Sequence, residues 1–210
     1  MLAKIDPSVL SEADPSGENP AFSMFNADNG PAFATAWMET YREAQAERLS
    51  RITDWVLQRL ARIERDRPPE TTDEAFIIHR TQADPRNLDL TLDANDRPQG
   101  TLGGEARAYN HAANGLGRFC TLRSFLSQWA REHSRAHGPT CLASTTAPVI
   151  VCDFTADQTV FPSDVAKWRA AAGTRSDYWR LKAPHYPSGR PEMVAQTAEK
   201  LMSWSRGTIN

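Results

Sequence analysis

Residues Pro148-Val-Ile-Val-Cys-Asp153 form a short, almost continuously apolar run rich in β-branched side chains. Such a run suits a strand covered on both faces, as in a parallel sheet. The segments after it narrow the choice of fold further. Ser163 to Ala172 reads as a helix, with Asp164 in its first turn and Gly173 just past its end. Asp177-Tyr-Trp-Arg-Leu181 reads as a second strand, and Pro191 opens a closing helix. That helix is expected to bury Val194, Thr197, Leu201 and Trp204. Strand, helix, strand, helix is a βαβα unit, the building block of parallel sheets with right-handed crossovers.

Upstream the pattern is looser. Residues 6 to 32 are rich in Pro, Asp, Asn, Ser and Gly and read as an extended surface segment. From about Ala34 to Arg65 the sequence predicts one long helix, with Leu49, Ile52, Val56, Leu60 and Ile63 on its apolar side. Pro68-Pro69 ends it. Residues 74 to 82 look like a short strand, and Phe119 to about His133 like a second helix. Turn signals fill the stretch between them.

Two polar residues stand out against this frame. Asp157 follows the first C-terminal strand directly, and His185 follows the second. Ligands of open α/β sheets lie at the carboxyl ends of strands. Neighbouring strands are roughly 4.8 Å apart, so loops leaving the same ends can bring two side chains together. A carboxylate meeting a histidine there fixes its tautomer and stabilises its protonated form. Asp157 can equally be a plain loop aspartate, and His185 an ordinary histidine ahead of a helix. Asp153 is a rival acid, ranked below Asp157 because it sits at the strand end and not in the turn.

At these residues the chain resembles the α/β-hydrolase superfamily. The segment from Pro148 through Asp157 to Pro162 resembles the family's acid-bearing motif after the penultimate core strand. Leu181-Lys-Ala-Pro-His185-Tyr resembles the histidine motif after the last strand, and Leu201-Met-Ser-Trp204 the end of the last helix. Phe154 stands where the family has Gly. The resemblance implies an α/β fold with three parts. Residues 1–19 would be a strand end, at Leu2 to Ile5, with a linker. Residues 20–117 would be a helix-rich, cap-like insertion, and 118–210 the C-terminal part of the core. It also implies hydrolysis of an ester or related acyl bond by a Ser-His-Asp mechanism, with His185 as base, Asp157 as its orienting partner and no cofactor.

No G-x-S-x-G occurs, so this chain offers no nucleophile. Ser8, Ser11, Ser16 and Ser23 lie in the Pro- and Asp-rich segment and not in a strand-turn-helix elbow. The expectation is a truncated product, a split half or a degenerate relative, inactive alone. The alternative is a non-catalytic remnant or partner subunit. Expected partners are an ester-like small molecule and either a missing N-terminal half or a second copy meeting an exposed sheet edge.

Other features point away from further chemistry. The formal net charge of -2 calls for neither nucleic acid nor membrane. The cysteines, Cys120, Cys141 and Cys152, have no pairing spacing and read as reduced, which favours a cytoplasmic setting. Cys120 and Cys141 read as packed or inert. His133 and His137 have helical spacing for zinc but read as a solvated helix end, and no metal is expected. Gly115-Leu-Gly117 lacks the strand and the third glycine of a dinucleotide loop. The arginines of the long helix read as a solvated face. Trp37, Tyr41 and Trp55 read as helix packing, with an acyl pocket as the other possibility, and Tyr186 as pocket lining or packing against the last helix.

Overall fold

The computed structural model describes residues 12–13, 19–22, 24–29, 33–78, 83–113, 115 and 118–208. Leu2 to Ile5 and the four upstream serines lie outside them. The chain is mixed α/β and divides into two compact units. Unit 1 comprises Met1–Asp89 and Gly103–His137; unit 2 comprises Leu90–Leu102 and Gly138–Asn210. These boundaries differ from a division at 117/118. The stretch 118–137 joins unit 1 because Leu122 and Phe125 pack with Val56 and Ile63 of the long helix.

Unit 1 is organised by helix α1, Thr35–Asp66. Its apolar stripe does what the spacing predicts: Val56 and Ile63 are buried, and Leu49, Ile52 and Leu60 pack around them. The Arg67 backbone N–H caps the Ile63 carbonyl, and Pro68 stops the helix. Strand β1, Ala75–Ile77, is shorter than the run 74 to 82 suggested, and residues 79–82 are outside the described set. The short helix α2, Ala106–His111, precedes β2, Phe119–Thr121, which pairs antiparallel with β1.

The helix expected from Phe119 to His133 is therefore corrected. Phe119 to Thr121 spend their backbone groups on β1, and helix α3 runs only Leu122–Gln128. The Thr121 hydroxyl accepts from the Ser124 N–H and so starts the helix there. Apolar residues three and four apart suit α3, but the β-prone Phe-Cys-Thr segment finds a strand partner first. Phe125 meets Phe76 edge-to-face, with ring centroids 5.5 Å apart, at the centre of the core.

At the start of α1, Phe33, Trp37 and Tyr41 stack in series. Burial, helped by the nearby Asp84 carboxylate, pushes the Tyr41 phenol up to about 12, while Gln45 donates to its oxygen.

Unit 2 holds the predicted βαβα unit, preceded by helix α4, Gly138–Ala143. Strand β3, Val149–Phe154, and strand β4, Ser176–Leu181, pair in parallel, with Val149 opposite Ser176 and Phe154 opposite Leu181. Helix α5, Pro162–Ala172, connects them, and helix α6, Pro191–Thr208, closes the chain. Gly173, at φ 59°, lets the chain leave α5 in a left-handed conformation. Gly138 admits the Trp168 ring of α5, since a Cβ there would lie 2.2 Å from ring carbons.

Side chains alternate across the strand pair. On one face Tyr178 donates to Asp153 and lies beneath the Arg169 guanidinium of α5. From the other face Asp177 accepts the indole N–H of Trp204 in α6 at 2.6 Å. The coverage is thinner than expected. Strand β3 is half-buried apart from Asp153. Val194 is 51% and Leu201 38% exposed, with Thr197 and Trp204 half-buried, so the predicted buried side of α6 is only partly covered. Among the described residues this sheet is two strands wide, too narrow for an 18-residue helix to bury its apolar side.

Tyr41 supplies a test of unit 1. Its phenol ionises later in the fold than in the unfolded chain, whose value is near 10.0. The resulting stabilisation is complete below pH 10 and is lost as pH rises towards 12. Chemical denaturation across that range is expected to show the decline in the wild type and a smaller decline in Tyr41→Phe.

Candidate functional site

The carboxyl ends of β3 and β4 build the site. The strand ladder continues one step past its formal end. The Thr155 N–H donates to the Leu181 carbonyl at 2.9 Å, and the Ala156 N–H to the Ala183 carbonyl at 3.1 Å. The two loops therefore leave the sheet in fixed register. The Asp157 N–H turns back to the Phe154 carbonyl at 3.0 Å, which aims the next side chain across the gap between strands.

That side chain is 7% exposed, and both its oxygens are committed. Asp157 Oδ1 accepts the N–H groups of Thr159 at 2.6 Å and Val160 at 3.0 Å. Asp157 Oδ2 lies 2.9 Å from His185 Nδ1. A carboxylate only accepts, so Nδ1 carries the proton in this pair. His185 Nε2 has no hydrogen-bond partner among the described residues, and the ring remains 27% exposed. Tyr186 packs edge-to-face on the imidazole, with centroids 4.5 Å apart, and is itself exposed. Asp157 and His185 are thus in contact, as the motif spacing required.

The rival acid is occupied elsewhere. Asp153 accepts from the Tyr178 hydroxyl and pairs with Arg180 at 3.3 Å, on the sheet face towards α5.

A third segment, not singled out from sequence, braces the acid loop. Residues 90–102 belong to unit 2 through a set of polar contacts. The Asn95 amide donates to the Asp157 carbonyl at 3.1 Å, and the Asp96 N–H to the Thr155 carbonyl at 2.8 Å. Asp96 also accepts the Thr155 hydroxyl, a bond that holds its carboxyl below the usual carboxylate range, with Lys182 adding to the effect. Gln158 donates to the Gly100 carbonyl at 2.9 Å. Asp93 accepts the Ser163 N–H at 3.0 Å and its hydroxyl, supplying the first turn of α5 with the cap its own Phe161 lacks. Arg97 ties the segment to itself by donating to the carbonyls of Leu92 and Asp93. In the sequence this region carried only turn signals, and nothing in it announced contacts about sixty residues ahead.

No family model, curated protein or solved structure matches this chain.

The other candidates gather no chemistry. All three cysteines are free thiols, and burial pushes the Cys152 thiol up, away from a thiolate. His133 and His137 are exposed, the first in a turn beyond the end of α3 and the second in the irregular stretch just before α4, so the helical spacing is not realised. No group of three metal-binding side chains occurs among the described residues. Among the same residues, no helix is long and apolar enough to cross a membrane. Trp37 and Tyr41 are spent on stacking, whereas Trp55 stacks on Phe76 yet stays half exposed.

Asp157→Ala leaves the Thr159 and Val160 N–H groups without acceptors. It is expected to cost about 1–3 kcal/mol of stability in urea denaturation. A loss no greater than that of Asp153→Ala would mean that the acid loop is not organised by Asp157.

Proposed function

We propose that Asp157 and His185 are the acid and base of a hydrolase site of the α/β-hydrolase type, acting on an ester or related acyl bond. The observation that carries this reading is the contact between Asp157 Oδ2 and His185 Nδ1 at the carboxyl ends of two adjacent parallel strands. His185 Nε2 accepts the proton of an attacking hydroxyl and returns it to the departing alkoxide. Asp157 holds the ring in the tautomer with a lone pair on Nε2 and stabilises the imidazolium that forms. The serine and the oxyanion donors come from outside the described residues, in a missing portion of the same fold or in a second chain. The site needs no cofactor for this chemistry.

A second reading, a non-catalytic partner subunit, is favoured by the exposed apolar residues Val194, Leu201 and Met202 of α6. Turnover of an activated ester separates the two. With Nε2 accessible, His185 attacks or activates water towards p-nitrophenyl acetate without any serine. The purified chain is expected to release p-nitrophenolate roughly tenfold or more faster than His185→Ala, with Asp157→Asn also slowed. Equal rates in all three proteins would mean that His185 Nε2 is not an available base or nucleophile, which the hydrolase reading requires of it even in a chain that lacks the serine. A fluorophosphonate probe is expected not to label the chain; labelling would place an activated serine within it.

A further inference from the structure

The hydrolase reading makes no use of Arg97, a buried cation in the segment that braces the acid loop. Arg97 is 3% exposed, and its guanidinium lies over the Phe161 ring, 4.8 Å from the centroid. A guanidinium taken out of water is held where its N–H groups meet acceptors. Here Nη1 donates to the Asp93 carbonyl at 2.5 Å and Nη2 to the Leu92 carbonyl at 2.8 Å. Asp93 sits at φ 61°, a left-handed conformation uncommon for any residue with a side chain. The clamp on its carbonyl and the bonds from Ser163 to its carboxylate hold the turn in that conformation.

Arg97 also decides which way the Asn95 side chain faces. Asn95 Oδ1 accepts the Arg97 backbone N–H at 3.0 Å and its Nη1 at 2.7 Å. Neither group can accept, so the amide oxygen belongs on that side and the NH2 on the other. The NH2 then meets the Asp157 carbonyl, which can only accept, at 3.1 Å. Donor and acceptor agree at both ends of the amide, and the reverse orientation would set like against like at each. The remaining polar groups of Asp157 bond within its own loop or to His185. The Asn95 bond ties the same residue to a separate stretch of chain.

We propose that Asn95, its amide oriented by Arg97, is a positioning residue for the Asp157–His185 pair. A carboxylate swings with the peptide that carries it. The Asn95 bond holds that peptide, so Asp157 Oδ2 stays directed at His185 Nδ1 while Nε2 faces its reaction partner. Such a constellation works only when held to within about 0.5 Å of its productive geometry, which takes supporting bonds behind the reacting groups. The inference rests on the reading of Asp157 and His185 as acid and base, but its signature at Nδ1 is read without turnover.

The test uses Asn95→Asp in the full chain. The new carboxylate keeps an acceptor for Arg97, so the turn retains its anchor, but it cannot donate to the Asp157 carbonyl. Asn95→Ala removes the donor without adding charge. Ser163→Ala is the control: it removes a hydroxyl bond to Asp93 at the start of α5 and leaves the Asn95 bond in place. Proton NMR reads the far-downfield Nδ1 proton of His185, and urea denaturation reads folding. Both Asn95 variants are expected to unfold cooperatively yet lose that resonance, whereas Ser163→Ala loses stability and keeps it. Release of p-nitrophenolate from p-nitrophenyl acetate is expected to fall in both Asn95 variants to the rate of Asp157→Asn. In the wild type, one Asn95 side-chain amide proton is expected to exchange with solvent more slowly than the other. Equally fast exchange of both overturns the proposal, whatever the variants do. A resonance that survives both Asn95 substitutions, or one lost in Ser163→Ala as well, also overturns it and leaves the hydrolase reading standing. Loss confined to the Asn95 variants, with a wild-type rate no faster than that of His185→Ala, supports the positioning role and removes the hydrolase reading.

Discussion

The carboxylate of Asp157 is the point on which the geometry of the candidate site turns. One oxygen takes two backbone N–H groups of its own loop, and the other takes the His185 ring. Neither half works without the other. The backbone bonds stop the side chain from swinging into solvent, and a fixed carboxylate in turn fixes the imidazole. The arrangement depends on the parallel pairing of β3 and β4, because only strands in register send both loops out at the same end. A slip of one residue would turn the alternating side chains to opposite faces and misplace the loops beyond them.

The segment 90–102 explains how such a site survives beside a narrow sheet. Two strands with half-buried side chains provide little packing, and the helices beside them leave apolar surface exposed. Polar anchors compensate. Asn95 and Asp96 hold the backbone on either side of Ala156, Gln158 reaches Gly100, and Asp93 caps α5. Several of these bonds satisfy backbone groups that the turn would otherwise leave without partners, which is where a hydrogen bond contributes most.

Much of unit 2 was legible in the sequence. The β-branched run, the Pro-opened helices and Gly173 are local signals, and local signals set β3, α5, β4 and α6 almost to the residue. The positions of Asp157 and His185 just beyond the strands came from the same signals. What failed was non-local. Phe119 to Thr121 read as helix because their apolar spacing suits one, and the competing strand partner lies more than forty residues away. The burial expected of Val194 and Leu201 assumed a wider sheet than the described residues form. The contacts of 90–102 join polar side chains to backbone groups, which leave no periodic trace. The half-exposed Trp55 was likewise invisible, since a helical stripe does not reveal which of its aromatics a neighbouring strand leaves open.

One measurement bears on the Asp157–His185 contact most directly. Nitrogen-15 NMR of the histidine ring, at a pH where the imidazole is neutral, reports which nitrogen carries the proton. The account requires a protonated Nδ1 on His185, with a slowly exchanging, far-downfield proton attached to it, and loss of that resonance in Asp157→Asn. A His185 ring protonated on Nε2, or one whose spectrum is the same in both proteins, would contradict it.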